Sequence, residues 1–90
     1  MAIFLKDPAA VVDYAIDWAG GYLDGRTIAA SQWHIEPAGV AIAGTVIEPQ
    51  RTVATLAGGI AGNVHRITNS VTLSDGRSDE RTLVVRVENR

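Results

Sequence analysis

Ninety residues, 47% apolar and 20% charged, with a net charge of −2, predict one folded globular domain spanning 1–90. The absence of cysteine excludes disulfides, thiolate metal sites and cysteine nucleophiles, and no apolar run approaches the roughly 20 residues of a membrane span. Residues 1–45 hold five acids and two bases, and 46–90 five acids and six bases; neither half is the basic face that nucleic acid requires.

In chain order, residues 1–10 predict an N-terminal arm or edge strand, with "AIFL" (2–5) as its extended part and a turn at 7–10. The start "MAIFLKDP" lacks the apolar core of a signal peptide. "VVDYAIDW" (11–18) fits two elements. As a strand, Val12, Tyr14, Ile16 and Trp18 face inward, with Val11, Asp13, Ala15 and Asp17 outward. As a helix, Asp7 would cap it, Pro8 would sit in the first turn, Gly20 would end it, and Val11, Tyr14, Ala15 and Trp18 would form the stripe. The strand is preferred, because both large aromatics and Ile16 fall on one parity.

"TIAASQWHI" (27–35), "GVAIAGTV" (39–46) and "RTVATLA" (51–57) predict three further strands. Gly, Pro, Asn and Asp break the chain between them. In "VHRITNSVTL" (64–73), Ile67, Val71 and Leu73 share a face with His65 and Asn69. In "ERTLVVRVEN" (80–89), Leu83, Val85 and Val87 share another. These two strands form a C-terminal hairpin, and the polar stretch 74–81 between them reads as a charged loop. The spacing predicts an all-β fold, a sandwich or barrel of about seven antiparallel strands. Tyr14, Ile16, Trp18, Trp33, Ile67, Val71, Leu83, Val85 and Val87 should form its core.

Few residues invite chemistry. On a strand, Asp13 and Asp17 stand about 13 Å apart, from a rise of about 3.3 Å per residue, whereas paired-carboxylate hydrolysis needs roughly 5 to 9.5 Å. His34 and Glu36 share a strand face, but two ligands do not make a zinc site. "AGGIAGN" (57–63) lacks the Lys and the following helix of a phosphate loop, and no G-x-S-x-G occurs. The expectation is therefore no enzyme, no metal and no cofactor. Surface charge instead suggests contacts with partners: Lys6 and Asp7 on the arm, Asp13 and Asp17 on one strand face, and Arg77, Asp79, Glu80 and Arg81 in the charged loop.

Four stretches, "KDPAAVVDYAIDW" (6–18), "TIAASQWHI" (27–35), "LAGGIAGNVHRITNSV" (56–71) and "DGRSDERTLVVRV" (75–87), carry a resemblance that runs in order through nearly the whole chain. The chain resembles a family of small proteins encoded by tailed phages and prophages. Its members carry K-D-P then D-Y-x-I-D-W, a T-I-x-x-S-x-W strand, a glycine loop, and G-R-x-D-E-R before a Val/Ile strand. The resemblance implies an immunoglobulin-like fold and a structural role as a head–tail or fibre–tail adaptor. It further implies neck, tail or fibre proteins as partners, several copies per particle, residence in the virion, and passage through the host cytoplasm during assembly. It carries no catalytic residues. The C-terminal half also resembles fibronectin type III sandwiches, with His65 where related chains tend to have Tyr; an imidazole there could bond to the "AGGIAGN" turn. The alternative reading is a carbohydrate- or cell-surface-binding module, which needs the indole of Trp18 or Trp33 exposed.

Overall fold

The computed structural model describes residues 3–18 and 20–89. Its elements are β1 (Ile3–Lys6), β2 (Val11–Asp17), the single helical turn α1 (Gly20–Leu23), β3 (Ile28–Glu36), β4 (Val40–Ile47), β5 (Arg51–Gly58), β6 (Val64–Leu73) and β7 (Ser78–Val87). They form two sheets, β1-β7-β6-β3 and β2-β5-β4, packed as a sandwich. The body is elongated, with extents of 41 × 22 × 19 Å.

The ambiguity at 11–18 resolves as a strand. β2 pairs antiparallel with β5 from Val11↔Ala57 to Asp17↔Arg51. Tyr14 and Ile16 thereby turn into the core and Asp13 and Asp17 turn out. Trp18, just past the strand, is fully enclosed. A helix would have kept Tyr14 and Trp18 on one stripe and turned Ile16 away from it, whereas alternation buries all three.

Two expectations need correction. The strands are not all antiparallel, because β1 pairs parallel with β7, from Ile3↔Val84 to Lys6↔Val87. After β1 the chain turns at Asp7–Ala10 and enters the opposite sheet, so no hairpin forces the two directions to oppose. The polar stretch 74–81 is also not one loop. β7 begins at Ser78, and Ser78, Asp79, Glu80 and Arg81 pair with Thr72, Val71, Ser70 and Asn69. The backbone groups of the long strand β6 need partners, and the polar residues opposite supply them as well as apolar ones would.

The core comprises Tyr14, Ile16, Trp18, Leu23, Ile28, Val40, Ala54, Leu56, Ile67, Val71, Leu73, Leu83, Val85 and Val87. Eight of the nine expected core residues are among them; Trp33 is half-buried and packs against the cluster from β3. A polar thread runs through this core. The Trp18 indole donates to Thr52 Oγ1 (3.2 Å), and that hydroxyl donates to Asn69 Oδ1 (2.6 Å). Asn69 Nδ2 then donates to Ser31 Oγ (2.7 Å) and to the Gln32 carbonyl (3.0 Å). The thread ties the β2–β5 sheet to the β6–β3 sheet. It uses both amide hydrogens and the oxygen of Asn69, which is fully buried and so needs them all.

Candidate interaction surfaces

At one pole, α1 and the β6–β7 turn close the sandwich over Trp18. The Arg81 guanidinium lies 4.4 Å from the Trp18 ring centroid and 5.4 Å from that of Tyr22. Its Nη1 donates to the Asp17 carbonyl (3.0 Å). Asp79 and Arg81 stand at positions of β7 with the parity of Leu83 and Val85, so they reach over the core's rim instead of out to the side. The Tyr22 hydroxyl donates to Asp79. That bond, helped by the backbone N–H of Glu80, holds the Asp79 carboxyl below its usual range. The same bond pushes the Tyr22 phenol up.

Arg26 joins this pole to the hairpin. It donates to the carbonyls of Leu23 (2.7 Å) and Tyr22 (2.9 Å), and it pairs with Asp75 at 3.3 Å. Asp75 is held below the usual carboxylate range first by the Arg77 backbone N–H and then by the Arg26 guanidinium. Asp17, Arg77, Asp79, Glu80 and Arg81, read from two separate stretches of sequence, therefore converge on one pole. Tyr22, Arg26 and Asp75 complete it. Sequence reasoning passed over these three, because Tyr22 lies in the glycine-rich break at 19–25, Arg26 just past it, and Asp75 at the start of the polar stretch 74–81.

The opposite pole holds the arm. Lys6 is not on the surface: it is 1% exposed, and its ammonium donates to the carbonyls of Asp7 (2.9 Å) and Gly58 (2.7 Å). Burial lowers its pKa. Lys6 thus fastens β1 to the end of β5 in the other sheet. Asp7 caps the following turn, accepting from the Ala9 N–H at 2.8 Å. His65, fully buried, bonds to the Pro37 carbonyl (2.6 Å) in the β3–β4 turn, not to the "AGGIAGN" turn. The carbonyl can only accept, so the imidazole carries its proton on Nδ1. In the β5–β6 loop, Gly59 approaches β7 so closely that a Cβ would lie 2.8 Å from Val87 Cγ2.

Between the poles the two outer faces differ. Asp13 stands on the outer face of β2 and accepts from Thr55; around them that face is apolar, with Val11, Ala15, Ala41, Gly44, Val46, Val53 and Ala57, and it ends in the paired Asp17 and Arg51. On the other sheet, His34, Glu36, Arg66, Thr68, Ser70 and Glu80 line a shallow trough. His34 Nε2 and Glu36 lie 2.8 Å apart, but among the described residues no group of three or more His, Cys, Asp or Glu could hold a metal ion. Trp18 is sealed inside and Trp33 faces the core, so neither offers the flat exposed ring that a sugar-binding platform needs.

A protein-family model described as Gp77, podophage GP4 fiber-tail adaptor protein gp77, matches residues 6–86. The chain belongs to this family. The adaptor is a virion structural protein that links fibre and tail, and it is not an enzyme. A search of curated proteins finds no match. Three members of the core thread, Trp18, Ser31 and Asn69, fall within the stretches that carried the resemblance. In the adaptor, those motif positions hold the sheets together.

Proposed function

We propose that the adaptor joins neighbouring proteins of the fibre–tail junction through its two poles, with several copies in each particle. The observation that carries this reading is the charged pole. There Asp79, Glu80 and Arg81 stand on the end of β7 with Arg77 in the turn just before it, and Tyr22 and Trp18 brace Asp79 and Arg81. A braced array of charges meets a partner without first losing conformational freedom. Asp7 lies at the far end of a 41 Å body, and Asp13 stands on the face between the poles. Lys6 is left out of these contacts, since its ammonium is spent inside the fold. Neither nucleic acid nor membrane enters the reading, and the chain passes from the host cytoplasm into the particle during assembly.

The test is a protein inventory of purified particles by mass spectrometry, with the wild type beside an Arg77→Glu/Glu80→Arg variant. The wild type should appear at a fixed ratio to the tail proteins, and the variant at a fraction of that ratio while folding normally. Intact particles that lack the wild-type chain would overturn the adaptor reading. Unchanged incorporation of the variant would remove the charged pole from it.

A further inference from the structure

Sheet edges normally carry charge or proline, which keeps other strands off them. The β2 edge carries Asp13 and Asp17, and the β3 edge carries His34 and Glu36. β4, "VAIAGTVI", is the far edge of the β2-β5-β4 sheet and has neither charge nor proline over eight residues. Among the described residues no strand lies on its outer side. Within β4 only Val40 is buried, and Ile42 (37% exposed), Val46 (54%) and Ile47 (46%) are left to solvent. Val46 stands on the outer face beside Val53, and Ile47 on the inner face beside Thr52, so the strand is uncovered on both sides.

The backbone shows which groups are open. In the turn after β4, Glu48 and Arg51 exchange both backbone hydrogen bonds, at 2.8 Å one way and 3.4 Å the other. In an antiparallel ladder such pairs alternate with pairs that do not bond each other. Counting back along β4, Val46 bonds toward β5, while Ile47 and Thr45 turn their N–H and C=O away from it. A bulge at Ala43 interrupts the ladder and leaves Gly44–Ile47 as the regular run.

Resting on the adaptor reading, which supplies several copies, we propose that a second copy of the chain occupies this edge. β4 pairs antiparallel with β4 of a neighbour, about a two-fold axis through Val46. In that register Thr45 of each copy exchanges backbone hydrogen bonds with Ile47 of the other, and Val46 faces Val46. Charge decides the occupant. A β2 or β3 edge of another copy would set Asp13, Asp17 or Glu36 against Val46 and Ile47, whereas β4 meets them with uncharged residues on both faces. The nearest charge, Glu48, is already paired with Arg51 at 2.6 Å and stands opposite Gly44, which presents no side chain to it. The contact is isologous, so it closes at two copies. So short an overlap buries less than the roughly 1,200 Å² of a stable interface. The copies therefore pair where the tail concentrates them and separate on dilution.

The native chain has no cysteine, so a single introduced one reports cleanly. Facing residues of a non-bonded pair lie about 4.5 Å apart at Cα, inside the roughly 4.4–6.8 Å that a disulfide spans. The two copies of Ala41 would lie about 33 Å apart across the same axis, from a rise of about 3.3 Å per residue. Purified Val46→Cys and Ala41→Cys chains would be oxidised at high concentration and followed on non-reducing gels. Val46→Cys should form disulfide dimers several-fold faster than Ala41→Cys, an exposed control on the same face, and dilution should remove the difference. Equal rates at high concentration would overturn the proposal. Val46→Lys and Val46→Glu, both folded by their melting curves, carry the test into particles. Each alone should fall several-fold in copies per particle, because like charges meet on the axis, and the two expressed together should restore the count. Unchanged counts for either variant alone, or no recovery from the pair, would also overturn it. Intact particles without the wild-type chain would sink the adaptor reading, while the cross-linking rates would still decide the contact.

Discussion

The guanidinium of Arg81 stacks on the indole of Trp18 at 4.4 Å from the ring centroid, with the Asp17 carbonyl fixing its Nη1. One side chain therefore lids the most deeply buried aromatic of the core and also joins the charged pole. Replacing Arg81 with Ala should cost about 1–2 kcal/mol, combining a stacked cation and a hydrogen bond. Arg81→Lys should recover only part of this, because an ammonium cannot stack as a plane. Urea unfolding followed by tryptophan fluorescence measures both; a Lys variant as stable as the wild type would mean that the planar stacking contributes nothing.

The Trp18–Thr52–Asn69 thread makes a sharper case. Thr52→Val keeps the shape of the side chain but leaves the Trp18 N–H without its acceptor and Asn69 Oδ1 without its donor. The expected loss is about 2–4 kcal/mol, since stranded buried polar groups cost about 1–3 kcal/mol each. Chemical denaturation with an unchanged m-value would confirm a native-state effect. A loss under 0.5 kcal/mol would show that the thread carries little of the stability.

Two glycines separate backbone strain from collision. Gly62 (φ +95°) has open space where a Cβ would go, so Gly62→Ala should suffer only the strain of its dihedral, about 1–2 kcal/mol. Gly59 (φ +106°) would add a clash with Val87 Cγ2 at 2.8 Å. Gly59→Ala should therefore be the more damaging of the two. Val87→Ala in the same chain should then cost less than it does alone, a coupling that a double-mutant cycle reads directly.

The polar pole should also be sensitive to acid. Asp79 and Asp75 have folded pKa values below those of the unfolded chain. Their contribution is present above the unfolded value, about 3.9, and is lost as pH falls through the folded ones. Stability should thus fall with pH below about 4, and Asp79→Asn should flatten that slope. Tyr22 acts in the opposite sense: its raised pKa means that its share is present below about pH 10 and is lost as pH rises through the folded value. Stability measured from pH 2 to 11 in wild type, Asp79→Asn and Tyr22→Phe tests both limbs.

Much of the sandwich is legible in the chain because alternation is local. Leu83, Val85 and Val87 announce β7, and Tyr14 and Ile16 announce β2, without reference to any neighbour. What pairs with what is not local. The parallel entry of β1 depends on β7 lying at hand eighty residues later, and the strand character of Asp79–Arg81 depends on the backbone demands of β6. The interaction surfaces were half visible. Asp17, Arg77, Asp79, Glu80 and Arg81 stood out as charges, but only the fold brings them together. Lys6 looked like an exposed arm residue because nothing near it in sequence reveals the Gly58 carbonyl waiting in the other sheet. The buried Asn69 left the clearest unused signal, a polar residue on the apolar parity of β6.

The parallel pairing of β1 with β7 decides how the molecule meets tension. Drawing Ile3 and Val87 apart along the strands loads the four register pairs between them together, in shear. An antiparallel hairpin such as β6–β7, pulled at its open end, yields one hydrogen bond after another. The ammonium of Lys6 adds a crosslink to β5 at the point where the parallel pair ends. Tension applied between those two ends would thus meet a strand that resists as a block rather than one that peels.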